Sequence, residues 1–155
     1  MDIIPLAIPD VVLVRPKKFE DPRGFFAETF NAKKLSAALP LAFVQDNLSL
    51  SRPVGTLRGL HFQRPPHAQG KLVRCVRGKI FDVAVDIRTG SPGFGQHVSV
   101  ELSGDTLDQL YVPPGFAHGF CTLEPDTEVS YKVTDYYAPE CDAGIIWNET
   151  LGMCW

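Results

Sequence analysis

The residues of this chain that could do chemistry are two histidines, one lysine and three tyrosines, supported by two arginines. His61 ends the run Thr56-Leu-Arg-Gly-Leu-His61, three residues after Arg58 and two after a glycine. His118 follows the tight turn Pro113-Pro-Gly115, and Lys71 follows Gln69-Gly70 and opens a strongly apolar run. Tyr131, Tyr136 and Tyr137 flank what reads as a strand end, and Asp21-Pro-Arg-Gly-Phe-Phe-Ala-Glu28 mixes Arg23 and Glu28 with a phenylalanine pair. Taken singly, each has a bland reading: a satisfied structural histidine, a surface lysine, rim tyrosines with wet hydroxyls, a strand that buries its phenylalanines. Taken together they supply a base titrating near neutrality, a phenol, a cation and two guanidiniums. There is no glycine-rich phosphate loop, Walker pattern or nucleophile elbow. A base, an acid and a cation without a nucleophile suit proton transfer at a carbon next to a carbonyl.

The elements that must position these groups are short strands. Phe81, Val83, Val85 and Ile87 alternate with Asp82, Ala84 and Asp86; Val98, Val100 and Leu102 alternate with His97, Ser99 and Glu101; Val129, Tyr131 and Val133 alternate with Glu128, Ser130 and Lys132. Credible turns separate the runs at Gly78, Gly90-Ser-Pro-Gly93, Ser103-Gly-Asp105, Pro113-Pro-Gly115 and Glu124-Pro-Asp126. The spacing predicts an antiparallel barrel or jelly-roll sandwich, in which an inward polar residue needs a functional explanation. One helix is expected over 31–39, capped by Asn31 and stopped by Pro40. Residues three apart on a strand point to opposite faces, so Arg58 and His61 can serve one ligand only if a bulge or turn intervenes at Gly59.

Composition narrows the function classes. The 155 residues are 45% hydrophobic and 21% charged, which excludes intrinsic disorder. No repeat or linker breaks the chain, so residues 1–155 read as one domain. With 15 Lys and Arg against 18 Asp and Glu, the formal charge is −3, and Lys17-Lys18 is a short basic cluster rather than a basic face, so no nucleic-acid partner is expected. No apolar run reaches the roughly 18–20 residues of a membrane span. Asp2, Pro5, Pro9 and Asp10 precede any basic residue, unlike a signal peptide. Cys75, Cys121, Cys141 and Cys154 form no C-x-x-C pair and read as free thiols, and the cytoplasm is the expected compartment. Asn148-Glu149-Thr150 is a glycosylation sequon by pattern only.

Longer blocks carry a resemblance. DPRGFFAETF, FVQDNLSLS, GTLRGLHFQ, QGKLVRCVRGKIFDVAVDIR, SPGFGQ, YVPPGFAHGF, YKVTDYY and GIIWNETLG, collinear from about Ile8 to Gly152, strongly resemble the dTDP-4-dehydrorhamnose 3,5-epimerase family. The resemblance implies an all-β, cupin-like double-stranded β-helix jelly roll with one or two short helices, a homodimer, and inversion of C3 and C5 of dTDP-4-keto-6-deoxyglucose without metal or other cofactor. It puts the proton-abstracting base on His61, the opposite-face proton donor on Tyr131 and the cation beside the keto group on Lys71. Nucleotide and sugar contacts fall on Arg23, Phe26, Glu28, Gln45, Asn47, Arg58 and His118, with Asp142 as an acidic contact and Tyr137 stacked on the thymine. A strand around Asp10–Val14, with no evident hairpin partner, is expected to cross to the second subunit.

One departure accompanies the resemblance. Family chains continue past the residue equivalent to Trp155 into a Ser-x-Lys-Asp-like stretch, whose Asp bonds the catalytic histidine and near which a basic residue touches the nucleotide. This sequence stops before both. The expectation is a shortened chain; the alternatives are impaired activity or another carboxylate orienting His61, with Asp82 the candidate. Three further readings stand beside the family's reaction. A metal-dependent cupin enzyme would use Pro113-Pro-Gly-Phe-Ala-His118, but it lacks the His-x-His and Glu that metal ligation needs. A non-catalytic sugar-nucleotide binder and a single-site (C3 or C5) epimerase would keep nearly the same residues.

Overall fold

The computed structural model describes residues 1–36, 39, 42–146 and 148. In chain order the strands are β1 (Asp2–Pro5), β2 (Val12–Arg15), β3 (Lys18–Asp21), β4 (Gly24–Ala27), β5 (Gln45–Ser51), β6 (Leu57–Gln63), β7 (Lys71–Arg77), β8 (Lys79–Asp86), β9 (His97–Ser103), β10 (Gln109–Val112), β11 (Phe116–Thr122), β12 (Thr127–Val133) and β13 (Asp142–Gly144). Helix α1 (Ala32–Ser36) follows β4, and a single 3-10 turn occupies Pro139–Cys141. The Asn31 side chain accepts the Lys34 backbone N–H at 3.1 Å, which is the cap expected at that residue. Ala37, Ala38 and Pro40, where the helix was expected to continue and stop, lie outside the described residues.

Two antiparallel sheets face each other, in strand orders β1-β2-β10-β7-β12-β5 and β13-β6-β11-β8-β9. This is the expected all-β jelly roll. The space between the sheets is filled by Val73, Cys75, Ile80, Ala84, Val98, Leu102, Leu110, Val112, Phe116, Phe120 and Val129. The large sheet carries a second cluster of Val12, Val14, Leu35, Leu72 and Tyr111, and the small sheet a third of Leu60, Val83, Val85 and Ala117. No long, apolar membrane-crossing helix occurs among the described residues. Cys75 and Cys141 are buried free thiols and Cys121 is a half-buried one, while Cys154 lies outside the described residues, as do Glu149 and Thr150 of the sequon.

Two expectations need correction, and the alternation read in β8 has a second buried face behind it. The 10–14 strand does not lack a partner: β2 pairs with β1 through Pro5↔Val12 and with β10 through Leu110↔Leu13. The alternation in β8 does not separate a buried face from a wet one, because Ile80 and Ala84 face the inter-sheet core while Val83 and Val85 pack in the third cluster. A strand covered on both faces shows no exposure rhythm, and Asp82 and Asp86 are both fully buried there. The phenylalanines of β4 are not buried either. β3 and β4 form a separate two-stranded hairpin in which Phe25 and Phe26 are 54% and 70% exposed.

Candidate active site

A bulge builds one wall of the cleft. Between β6 and β11 the register runs His118↔His61 and then Phe120↔Arg58, so β6 spends three residues where β11 spends two. Gly59 absorbs the extra residue at φ +130°, and a Cβ there would lie 2.5 Å from the Gly119 Cα. Only glycine fits. The bulge that the spacing required therefore exists, and Arg58 and His61 look into the same cleft.

The opposite wall comes from β5, β7 and β12. Tyr131 shares the inward face of β12 with Val129 and Val133, and Asn47 on β5 stands directly opposite it. Along β5 the polar Gln45, Asn47 and Ser49 line the cleft, while Leu48 on the other face is 69% exposed. That polarity is the reverse of an ordinary half-buried strand, as expected where the interior is a binding site rather than a core. Lys71 begins β7, and its Nζ donates to the His61 carbonyl at 3.2 Å.

Two adjoining hollows result, of about 390 and 340 Å³, and His61, Lys71 and Tyr131 line both. Volumes of this order hold small ligands. Arg58, His118 and Phe120 line the first, and Gln45, Gln63, Gln69, Tyr137 and Asp142 line the second. Arg58 is fixed at the rim by Nε donating to the Ser51 Oγ at 3.0 Å. The Tyr137 backbone N–H donates to the Gln45 Oε1 at 3.1 Å, and its hydroxyl lies 3.5 Å from the Asp142 Oδ2.

Burial sets the protonation states. It pushes the His61 imidazole below its ordinary value, the positive charge of Lys71 adds to this, and Asp142 opposes it. His61 is therefore a neutral base at pH 7. Burial lowers the Lys71 ammonium to about 8, against support from the negative charges of Asp82 and Asp142, which leaves it mainly charged at neutrality. Burial also raises the Tyr131 phenol, so its proton is retained.

Asp82 does not orient His61. It is fully buried, and its Oδ1 accepts the His118 Nε2–H at 2.8 Å. His118 lies nearer because it follows the small sheet inward on β11, where Phe120↔Asp82 and His118↔Ala84 are cross-strand pairs. Among the described residues no side chain bonds the His61 ring. Three expected substrate residues are also absent from this chain's own cleft. The Arg23 guanidinium is bound to Asp21 at 2.6 Å, Glu28 to Lys34 at 2.6 Å, and Phe26 projects from the hairpin. Residues not singled out from sequence are Ser49, Gln63 and Gln69; Ser49 has the parity of Gln45 and Asn47, and Gln63 that of His61. The Ser49 Oγ and the Asp82 Oδ2 are buried without a hydrogen-bond partner among the described residues. No group of three or more His, Cys, Asp or Glu among those residues could hold a metal ion.

Comparison with known proteins returns deoxysugar epimerases, most of them named 3,5-epimerases and some single-site epimerases. The family profile described as dTDP-4-dehydrorhamnose 3,5-epimerase matches residues 5–155. A protein of that name from Sinorhizobium fredii (strain NBRC 101917 / NGR234) is 55% identical over 152 residues, covering 97% of this chain and 78% of its own. The crystal structure of the Bacillus anthracis protein of that name, with TDP and PPi bound, superposes with a TM-score of 0.96 at 48% identity, over 99% of this chain and 89% of that one. A dTDP-6-deoxy-D-glucose-3,5-epimerase from Legionella pneumophila, in complex with dTDP-4-keto-L-rhamnose, gives 0.92 at 47% identity, over 97% and 80%.

Proposed function

Because the chain belongs to the dTDP-4-dehydrorhamnose 3,5-epimerase family, we propose that its cleft carries out the family's isomerisation with His61 as base, Tyr131 as acid and Lys71 as the cation. The enzyme converts dTDP-4-keto-6-deoxy-D-glucose to dTDP-4-keto-L-rhamnose. C3 and C5 both adjoin the C4 ketone, so their protons are acidified. His61 takes the proton, the C–H electron pair moves into the C4 oxygen as an enolate, and Lys71 neutralises that oxyanion. Tyr131 then delivers its phenolic proton to the other face of the same carbon. The resulting imidazolium and phenolate return to their starting states by exchange with solvent, and the cycle repeats at the second carbon. General-base help of this kind is worth about 10²–10⁴-fold, and an oxyanion contact roughly 3 kcal/mol.

The observation that supports these roles is that His61, Lys71 and Tyr131, from three different strands, line both halves of one cleft. The diphosphate would lie along Arg58 and the thymine against Tyr137, with Gln45, Asn47, His118 and Asp142 completing the contacts. Arg23, Phe26 and Glu28 would reach a cleft from the partner of a cytoplasmic homodimer. Their exposed hairpin, which stands apart from both sheets, supports that arrangement.

Proton NMR of the ketosugar nucleotide in deuterated buffer tests the roles. His61→Asn should stop exchange at both carbons, whereas Tyr131→Phe should allow deuterium in with retention while inversion falls. Wild-type exchange rates in His61→Asn would end this assignment. Light scattering at micromolar concentration tests the dimer, and a monomer mass would remove the partner's hairpin from the site.

A further inference from the structure

We infer that His67 and Asp135, which line neither hollow of the cleft, are positioning residues for nucleotide binding: their contact holds the segment that carries Tyr137. The inference rests on the reading of Tyr137 as the thymine platform. Tyr137 is 57% exposed, so packing alone does not orient its ring. Apart from the 3.5 Å contact of its hydroxyl with Asp142, its backbone must do so.

That backbone belongs to the 134–138 segment between β12 and the 3-10 turn, which is tied to the 64–70 segment between β6 and β7. At one end Gly70 and Thr134 exchange two bonds, Gly70 N–H to Thr134 Oγ1 at 2.8 Å and Thr134 N–H to Gly70 O at 3.0 Å. At the other, the Gln63 Oε1 accepts Ala138 N–H at 2.8 Å, while its Nε2 donates to His67 O at 2.7 Å and Tyr136 O at 3.2 Å. Between these ends the side-chain link is His67 Nδ1–H to Asp135 Oδ2 at 3.0 Å. The other Asp135 oxygen accepts the Tyr136 N–H at 2.8 Å, and Gln69 Nε2 donates to the Asp135 carbonyl at 2.8 Å. Both carboxylate oxygens of Asp135 are thereby committed, one to the neighbouring loop and one to the residue before Tyr137. Gln63 and Gln69 also line the cleft, but His67 lines neither hollow. The carbonyl of His67 reaches the cleft through Gln63, but its ring can act on substrate only through Asp135 and the loop.

The experiment measures dTDP affinity by calorimetry, together with kcat and KM, for His67→Ala, Asp135→Ala, Tyr137→Ala and the double variant His67→Ala/Tyr137→Ala. His67→Ala and Asp135→Ala should each raise the dTDP Kd and the KM about 3–10-fold, as expected when pre-organisation of a stacking ring is lost. The kcat should stay within about twofold, because the reacting groups sit on other strands. Asp135→Asn, which keeps an oxygen for the Tyr136 N–H, should recover part of the loss even if the alanine variants fold poorly. In the Tyr137→Ala background, His67→Ala should cost nothing further. An unchanged Kd in both alanine variants, or an additive loss in the double variant, overturns the positioning role alone. If Tyr137→Ala itself leaves dTDP binding intact, the platform reading and the inference resting on it both fall.

Discussion

Replacing Gly59 by alanine tests whether the bulge, rather than the mere presence of His61 and Arg58, makes the site. The added Cβ would meet the Gly119 Cα at 2.5 Å and the His118 carbonyl oxygen at 2.8 Å. Both obstacles are backbone, so no rotamer change relieves them. The residue would also have to hold φ +130°, which L side chains rarely adopt. Backbone strain of that kind costs about 1–3 kcal/mol and overpacking a further 1–3, together about 2–6 of the ~5–15 that hold a domain folded. At roughly 2–4 °C per kcal/mol for a chain of this length, Tm should fall by about 4–24 °C. Gly55→Ala is the control, since φ is +76° there but nothing lies within 4 Å, leaving a conformational cost of about 1–2 kcal/mol. The assay is thermal unfolding, followed by deuterium exchange at C3 and C5 well below the lower Tm. Because β6 and β11 must separate to admit the Cβ, His61 moves relative to Lys71, and a shift near 1 Å can cost about 10²-fold. A Tm no lower than that of Gly55→Ala would refute the packing argument. A destabilised variant with wild-type exchange would refute the claim that the bulge sets the geometry.

Further outcomes follow from the charges in the cleft. The pH profile of kcat/KM should lose activity on the acid side only below pH 6.5, because burial lowers His61, and on the alkaline side near pH 8, where Lys71 gives up its proton. Asp82→Asn should move the alkaline limb to lower pH by removing a negative charge that supports the ammonium. Asp82→Ala should also strip His118 of its 2.8 Å partner, a bond to a charged group worth about 1.5–3 kcal/mol, so kcat/KM should drop about tenfold or more. For stability the sign reverses: Lys71 binds its proton more weakly folded (about 8) than unfolded (10.5), so it costs stability below pH 8 and the chain should stabilise as pH rises from 8 to 10.5. Lys71→Met should raise Tm at pH 7 and abolish that rise, as melting curves across the window will show.

Much of this site was legible because strand periodicity and glycine chemistry are local. The parity of Val129, Tyr131 and Val133 put the phenol on an inward face, and the three-residue gap from Arg58 to His61 demanded a bulge where Gly59 supplies one. What stayed hidden depended on covering or distance. Alternation in β8 says nothing about exposure once both faces are covered, so Asp82 could be placed on a strand but not assigned its partner, His118, 36 positions away. The hairpin with Arg23 and Phe26 reads like a buried strand by composition, yet among the described residues its strands pair with neither large sheet and its phenylalanines stay exposed. Ser49, Gln63 and Gln69 are ordinary surface residues by type; parity with named neighbours was the available signal for Ser49 and Gln63, while Gln69 precedes β7 and has no strand parity to read.

In the proposed mechanism a protein with formal charge −3 handles an enolate because one desolvated cation acts twice. Lys71, lowered to about 8 by burial, keeps its proton at pH 7 while little water screens it. Its field also lowers His61, so the cation that receives the enolate's charge keeps the base free to create it. Burial works on Tyr131 in the complementary sense, holding its proton until a carbanionic carbon demands it. After one inversion the pattern is imidazolium and phenolate, the forms that this cleft disfavours for both groups. The desolvation that arms the acid and the base thus also favours their return to the starting state between the two carbons.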